Sequence, residues 1–516
     1  MSRTENTARN ISWGVLQKAI ALVLPFVTRT ILIYTLGSLF LGLNGLFTSI
    51  LQVLNISELG INTAITFSMY EPLAHGNDDK VNALLNFYKL CYRVIGFIVL
   101  GIGLAVMPFL PNLISGAIPE KVNIYWLYLI YLAGTFLSYE LFAYRTALLV
   151  ASQRSDIVSK VSSISTIIQF LLQTAILLFL RNYYLYIVVS NLTIVANNII
   201  CAYICKHIYP HLYCGGKIEK RVFNDIKKKV GGMIFQKIGG VVLTSVDTLV
   251  ISSFLGLRIL AIYQNYYFII TSLFGILAVI MSSMIATVGN AVALESIETN
   301  YKNFVKFNFL YIWIVGWCSI CLLCMYQPFM ELWVGADLIL SDYMVILFSI
   351  YFFAHKWCDM LYVYQEACGI WWETKWVPIT AAVVNLVINI VLVQFIGLAG
   401  ILISTIVSVV FIYDIGYAKV LFKVYFKDKR LFRLYLFKQV FYLVTLIFTS
   451  GITALCCWQI KLNSMFLKLI INGIICVLLP NFMLGLMWRN LGEFDVAVEF
   501  VKGIIVKKIK RLGSHQ

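Results

Sequence analysis

The chain has 516 residues, of which 61% are hydrophobic and 12% charged, with a formal net charge of +16. Soluble domains carry about a quarter charged residues, so this composition excludes a soluble enzyme or binding module and points to a polytopic membrane protein. The positive charge is no nucleic-acid footprint, because there is no basic soluble module to present to a groove.

Apolar stretches of about 20 residues, separated by polar breaks, set the expected spans. Fourteen are expected, near 12–36, 41–66, 87–111, 123–148, 158–180, 184–205, 232–256, 261–288, 307–330, 340–363, 377–396, 398–418, 436–459 and 465–488, with twelve as the alternative. The polar start MSRTENTARN runs into the first span without a cleavage pattern and reads as a retained cytoplasmic tail. Lysine and arginine then test the count, since short inner loops retain positive charge. With the N-terminus inside, the outer loops hold only Lys121, Arg181, Arg258, Lys461 and Lys468, and both termini are expected to be cytoplasmic.

The first span carries Lys18 and Arg29, eleven residues apart and so on nearly one helical face. A charge near the bilayer centre costs about 2.5 to 3.5 kcal/mol on the lenient insertion scale. Lys18 is close enough to the inner end to snorkel, whereas Arg29 is the stronger cavity candidate. Pro25 lies between them and is expected to bend the helix, as a fixed kink or as a gating hinge. In the second span Gln52, Asn55, Glu58 and Asn62 recur at helical intervals and form a polar stripe. Glu58 reads either as a partner for Lys18 or as an ion-coupling group. Asn55 and the amide pairs Gln169/Gln173 and Asn385/Asn389 read either as contacts for sugar hydroxyls or as interhelical hydrogen bonds.

Between spans six and seven, GGKIEKRVFNDIKKKV has apolar residues among its charges and is expected to form an amphipathic helix on the anionic inner leaflet. Span seven brings Lys237 and Asp247. A lone acid at mid-span suits proton or sodium coupling as well as structural pairing. Lys356 in span ten lies beside His355 and Asp359, and so reads either as part of a self-compensated cluster or as a second cavity cation. Cys318, Cys321 and Cys324 share one face of span nine and are expected to be small buried hydrophobes rather than a metal or redox site. No phosphate-binding loop, metalloprotease motif or paired-carboxylate framework is present, so the expectation is a transporter rather than an enzyme, with no cofactor.

The first span has an echo 219 positions downstream. Gln17-Lys18 matches Gln236-Lys237, Leu24 matches Leu243, and Leu36-Gly37 matches Leu255-Gly256. The expected fold class is therefore an all-α polytopic membrane protein with two pseudo-symmetric six-helix lobes and two additional C-terminal transmembrane helices. The lobes are placed at 1–205 and 232–420, a basic cytoplasmic linker at 206–231, and the extra helices with a basic tail at 421–516. A duplication of this kind suits alternating access around a central site. Basic residues on the seam, Arg29, Lys18, Lys237 and Lys356, favour an anionic substrate such as a diphosphate.

SELGINTAI with MYEPLAHG, then SYELFAYRTALLVASQRSD, then VDTLVISSFLG with AIYQNYYFI, resemble the prokaryotic polysaccharide exporters of the multidrug/oligosaccharidyl-lipid/polysaccharide superfamily. The likeness covers most of residues 10–430. It implies flipping of undecaprenyl-diphosphate-linked repeat units across the bacterial cytoplasmic membrane, for O-antigen or capsule synthesis. It also implies H+ or Na+ coupling through groups such as Asp247 and Glu58, and partnership with a polysaccharide polymerase and glycosyltransferases. Arg29 matches the basic residue of the family's first span. A multidrug antiporter of the same fold and a lipid II flippase stand as alternatives.

Overall fold

The computed structural model describes residues 3–58, 60–120, 122–462, 464–499 and 502. Lys121 and the basic tail expected beyond Lys502 lie outside these residues. Among the described residues every regular element is a helix, and the fold is all-α and polytopic.

Eleven helical segments are long and apolar enough to cross a membrane, or twelve with the bent pair Ile124–Glu140 and Ala143–Ala151. Two further observations bring this to the fourteen expected. The segment Ile234–Leu294 has 61 residues; straight, it would be about 90 Å long, three times the ~30 Å hydrocarbon core. It is instead broken at Gly256, whose φ of 85° and ψ of 172° are not helical. The apolar helix Ser38–Leu54 is short because its span is interrupted and resumes as Ile61–Ala74.

The chain forms two compact units, Met1–Asn265 and Tyr266–Gln516. The first holds α1 (Arg3–Leu36), α2 (Ser38–Leu54), α3 (Ile61–Ala74), α4 (Asp78–Val106), α5 (Ile124–Glu140), α6 (Ala143–Ala151), α7 (Ser155–Ala175), α8 (Tyr183–Ile208) and α9 (Lys220–Leu294) as far as Asn265. The linker segment is no separate surface helix. Its helix starts at Lys220 and continues into span seven, since Gly231-Gly232 weakens helix propensity without supplying a proline or a capping break. The six-plus-six lobe boundaries are set by the repeat and remain a proposal.

Helices in this unit approach through small residues and polar clasps, as expected where lipid supplies no hydrophobic drive between spans. A Cβ at Gly134 would collide with the Asn191 carboxamide, which donates to the Ile130 carbonyl at 2.7 Å. Gln17 donates to Ser162 across α1 and α7 at 3.0 Å. At the start of α7, Arg9 and Arg154 both hold the buried Asp156, at 2.9 and 3.2 Å.

The second unit follows with α10 (Ile297–Val334), α11 (Asp342–Lys356), α12 (Asp359–Cys368), α13 (Trp371–Thr374), α14 (Trp376–Ile396), α15 (Leu398–Val407), α16 (Ile415–Val424), α17 (Lys429–Trp458) and α18 (Met465–Trp488). The two extra spans, α17 and α18, pack on α10 around Phe309, Tyr442 and Trp488. The Trp488 indole donates to Thr445 at 3.0 Å, so its polar edge is satisfied within an apolar core.

Candidate functional site

The first charged span positions Arg29 by continuous helix. α1 runs from Arg3 to Leu36 with Pro25 inside it and exposed. At 1.5 Å per residue Arg29 stands roughly 16 Å along the axis from Lys18. Its Nε donates to Asn265 Oδ1 at 2.8 Å, and the Tyr186 phenol lies within electrostatic range. Asn265 is fully buried. A guanidinium has five donors, so one bond to a neutral amide fixes its direction while leaving its positive charge uncancelled by that partner. Lys18 and Lys237 are both exposed, and neither has a salt bridge among the described residues.

The second span departs from the sequence reading in a useful way. The expected stripe is not on one continuous helix: α2 ends at Leu54, a 3-10 turn covers Asn55–Glu58, and α3 starts after Gly60, whose φ is 95°. Broken helices within membranes occur where the freed backbone is buried or lines a cavity. Here the break borders a cavity of about 610 Å³ lined by Asn55, Glu58, Asn62, Tyr88, Tyr92 and Tyr139, among others. Tyr92 donates to Glu58 Oε1, and Tyr139 donates to Oε2 at 2.9 Å. Tyr88 donates in turn to Tyr92 at 2.9 Å. Asn55 Oδ1 is buried there without a hydrogen-bond partner. The expected Lys18–Glu58 salt bridge is absent among the described residues, because phenols satisfy this carboxylate.

Asp247 on α9 is 1% exposed, as buried as the doubly ion-paired Asp156. In the second unit Lys356 Nζ bonds Asp359 Oδ2 at 2.9 Å, the Tyr311 hydroxyl donates to the same oxygen at 2.7 Å, and the ammonium sits 4.6 Å from the centre of the Phe274 ring. This is a compensated cluster, in which the Lys356 charge is spent on Asp359. The amide pairs are spent on neighbouring helices. Gln169 donates to Ser190 at 2.9 Å, Gln173 to the Tyr186 carbonyl at 3.0 Å, and Asn385 to Thr405 at 2.8 Å, while Ser404 donates to Asn389.

Of the residues chosen from sequence, Asn55 and Glu58 meet in one cavity; the rest are spread along both units. Sequence reading missed Asn265, Tyr92, Tyr139 and Tyr311. Each is the second partner of a charged group it lies far from in the chain. Nothing in the sequence singles out the three tyrosines, and Asn265 lies inside the quoted AIYQNYYFI without a signal of its own.

Neither a protein-family model nor a curated protein matches the sequence. Among solved structures, the chain is similar to the lipid II flippase MurJ in an inward closed conformation, with a TM-score of 0.62 and 16% identity over 93% of this chain and 99% of that one. An inward-facing multidrug resistance MATE transporter of the MOP superfamily gives 0.61 and 11% identity over 79% and 97% of the two chains. An outward-facing MATE transporter of that superfamily gives 0.56 and 12% over 81% and 95%. At these identities the likeness shows a shared fold.

Proposed function

We propose that this chain is an alternating-access transporter, not an enzyme, and that it flips undecaprenyl-diphosphate-linked oligosaccharide from the inner to the outer leaflet of a bacterial cytoplasmic membrane. The observation that carries the reading is Arg29, a cation inside the first span that a hydrogen bond to the buried amide of Asn265 aims. Retaining such a charge in a span is costly, and a diphosphate repays the cost through charge-assisted bonds to the guanidinium. Lys18 and Lys237 are assigned to the inner approach, where exposed ammonium groups attract the headgroup. The fold shared with a lipid II flippase supports a lipid-linked cargo. The sequence resemblance supports a polysaccharide repeat unit, delivered by glycosyltransferases and consumed by a polymerase. Glu58 and Asp247 are the coupling candidates for H+ or Na+, and Pro25 the gating candidate.

A second reading, a cation-coupled multidrug antiporter, is favoured by one observation: the Glu58 cavity has a carboxylate and four tyrosines but no basic residue in its lining. Aromatic walls with an acid suit an organic cation. Proteoliposomes separate the readings. The expected result is flipping of a diphosphate-linked glycan, strongly reduced by Arg29→Ala at matched protein level. Unchanged flux in that variant, or transport of organic cations alone, would remove the flippase assignment.

A further inference from the structure

Cys324, expected above to be a small buried hydrophobe, converges with two further cysteines in the second unit. Cys324 on α10, Cys457 on α17 and Cys476 on α18 place their sulfurs within 4.8 Å of one another. All three are at most 1% exposed.

Apolar packing alone asks for volume, which alanine or valine supplies; it does not ask three helices to aim sulfur at one point. The backbone on two sides of that point is also fixed. Asn472 Nδ2 donates to the Cys324 carbonyl at 3.1 Å, and the Trp317 indole donates to the Cys476 carbonyl at 2.8 Å. Such secondary contacts are how ligand-bearing positions are held in metal sites. Cys321 and Met325 on α10 pack against the apolar core that holds all three sulfurs. Cys318 and Cys321, both partly exposed, continue the sulfur face of α10 away from it.

We propose that Cys324, Cys457 and Cys476 form a binding site for a soft monovalent cation of the Cu(I) type, which ties α17 and α18 to α10. Thiolate and thioether donors select soft metals. With metal–thiolate bonds of about 2.3 Å, a trigonal centre places its sulfurs roughly 4 Å apart, close to the spacing present. Charge decides between candidates. The surroundings are apolar, so the neutral complex costs least. A monovalent ion reaches neutrality by releasing one thiol proton to water and keeping the other two sulfurs as thiols. A divalent ion such as Zn(II) must release two. Among the described residues the core supplies no His, Asp or Glu ligand that Zn(II) would take alongside sulfur.

The experiment uses the full chain in detergent, reduced and anaerobic, titrated with Cu(I) buffered by a Cu(I) chelator. Expected is one ion per chain, a thiolate-to-Cu(I) charge-transfer absorption, and a rise in the thermal unfolding midpoint as free Cu(I) exceeds its Kd. Cys324→Ser, Cys457→Ser and Cys476→Ser should each weaken retention by about 100-fold or more, given that even outer-shell changes cost about 10–100-fold. Cys91→Ser and Cys368→Ser should leave it within about twofold. X-ray absorption on the wild-type chain keeps the proposal testable should the serine variants fail to fold. A first shell of sulfur supports it, and a first shell of nitrogen or oxygen overturns it. Retention by the triple serine variant equal to wild type, or tighter binding of Zn(II) than Cu(I), overturns it as well.

Discussion

Arg29 Nε and Asn265 Oδ1 meet at 2.8 Å across 236 positions of sequence. Asn265 follows the Gly256 break by nine residues, so the partner of the first span's charge comes from the helical segment just after the second copy of the repeated stretch. Asn265 acts as a positioning residue for the guanidinium. Hydrogen bonds to charged groups contribute about 1.5–3 kcal/mol. Asn265→Ala is therefore expected to lower glycan flipping roughly tenfold by freeing Arg29, and Arg29→Ala by more. Asn265→Asp should be as damaging as Arg29→Ala, because a carboxylate at 2.8 Å cancels the charge the substrate needs. Flux in proteoliposomes reads all three, and a fully active Asn265→Asp would show that the substrate does not meet this charge.

Among the described residues Glu58 is held by two phenols and by no cation. Removing one donor leaves a carboxylate oxygen unpaired in a helix break, at a cost of about 1–3 kcal/mol. Tyr139→Phe and Tyr92→Phe are each expected to lower thermal stability, with a combined loss that departs from the sum because both act on one carboxylate. If Glu58 couples transport to an ion gradient, Glu58→Gln should keep downhill flux while losing its response to an imposed proton or sodium gradient. Asp247→Asn is the parallel measurement on α9, and a normal gradient response in either variant would take that residue out of the coupling role.

Gly37 and Gly256, paired in the sequence echo, share one backbone conformation, which Gly335 also adopts. Gly37 has φ 97° and ψ 166°, and Gly256 has φ 85° and ψ 172°. This region of backbone space is essentially open to glycine alone, and other residues there cost about 1–3 kcal/mol. Gly37→Ala carries only that strain, since nothing lies within 4 Å of its new Cβ. At Gly256 the Cβ would also lie 2.6 Å from the Ser115 carbonyl oxygen. Both variants should lower the thermal midpoint, and Gly256→Ala should lower it more. Equal shifts would mean that the Ser115 contact relaxes at no cost.

Spans were legible in the sequence because lipid imposes a length and a composition on every crossing segment. The break at Asn55–Gly60 was not: Gln52, Asn55, Glu58 and Asn62 fit helical spacing, and a periodicity count does not register one left-handed glycine inside an otherwise regular pattern. Charges inside spans were equally legible, as Arg29 and Asp247 stand out against apolar neighbours. The partners of Arg29, Glu58 and Asp359 were not, because Asn265, Tyr92 and Tyr311 are ordinary residues whose role comes from tertiary approach. The cysteines of α10 show the same limit: their shared face was readable, whereas the approach of Cys457 and Cys476 depends on how α17 and α18 pack.

Lys356 gives a test of charge in the second unit. Its ammonium is paired with Asp359, which also accepts from Tyr311, and both side chains are largely buried, at 17% and 19% exposure. Removing one partner of a buried pair leaves the other charge uncompensated, at up to about 3 kcal/mol here, the lower end of the usual range because both groups keep some exposure. Lys356→Met alone should therefore reduce the amount of protein in the membrane. Adding Asp359→Asn removes the stranded charge and should restore it, the signature of a coupled pair. Transport per molecule separates structure from substrate contact: with Lys356 spent on Asp359, the double variant is expected to flip glycan near the wild-type rate. Restored protein with abolished flux would instead return Lys356 to the substrate path as a second cation beside Arg29.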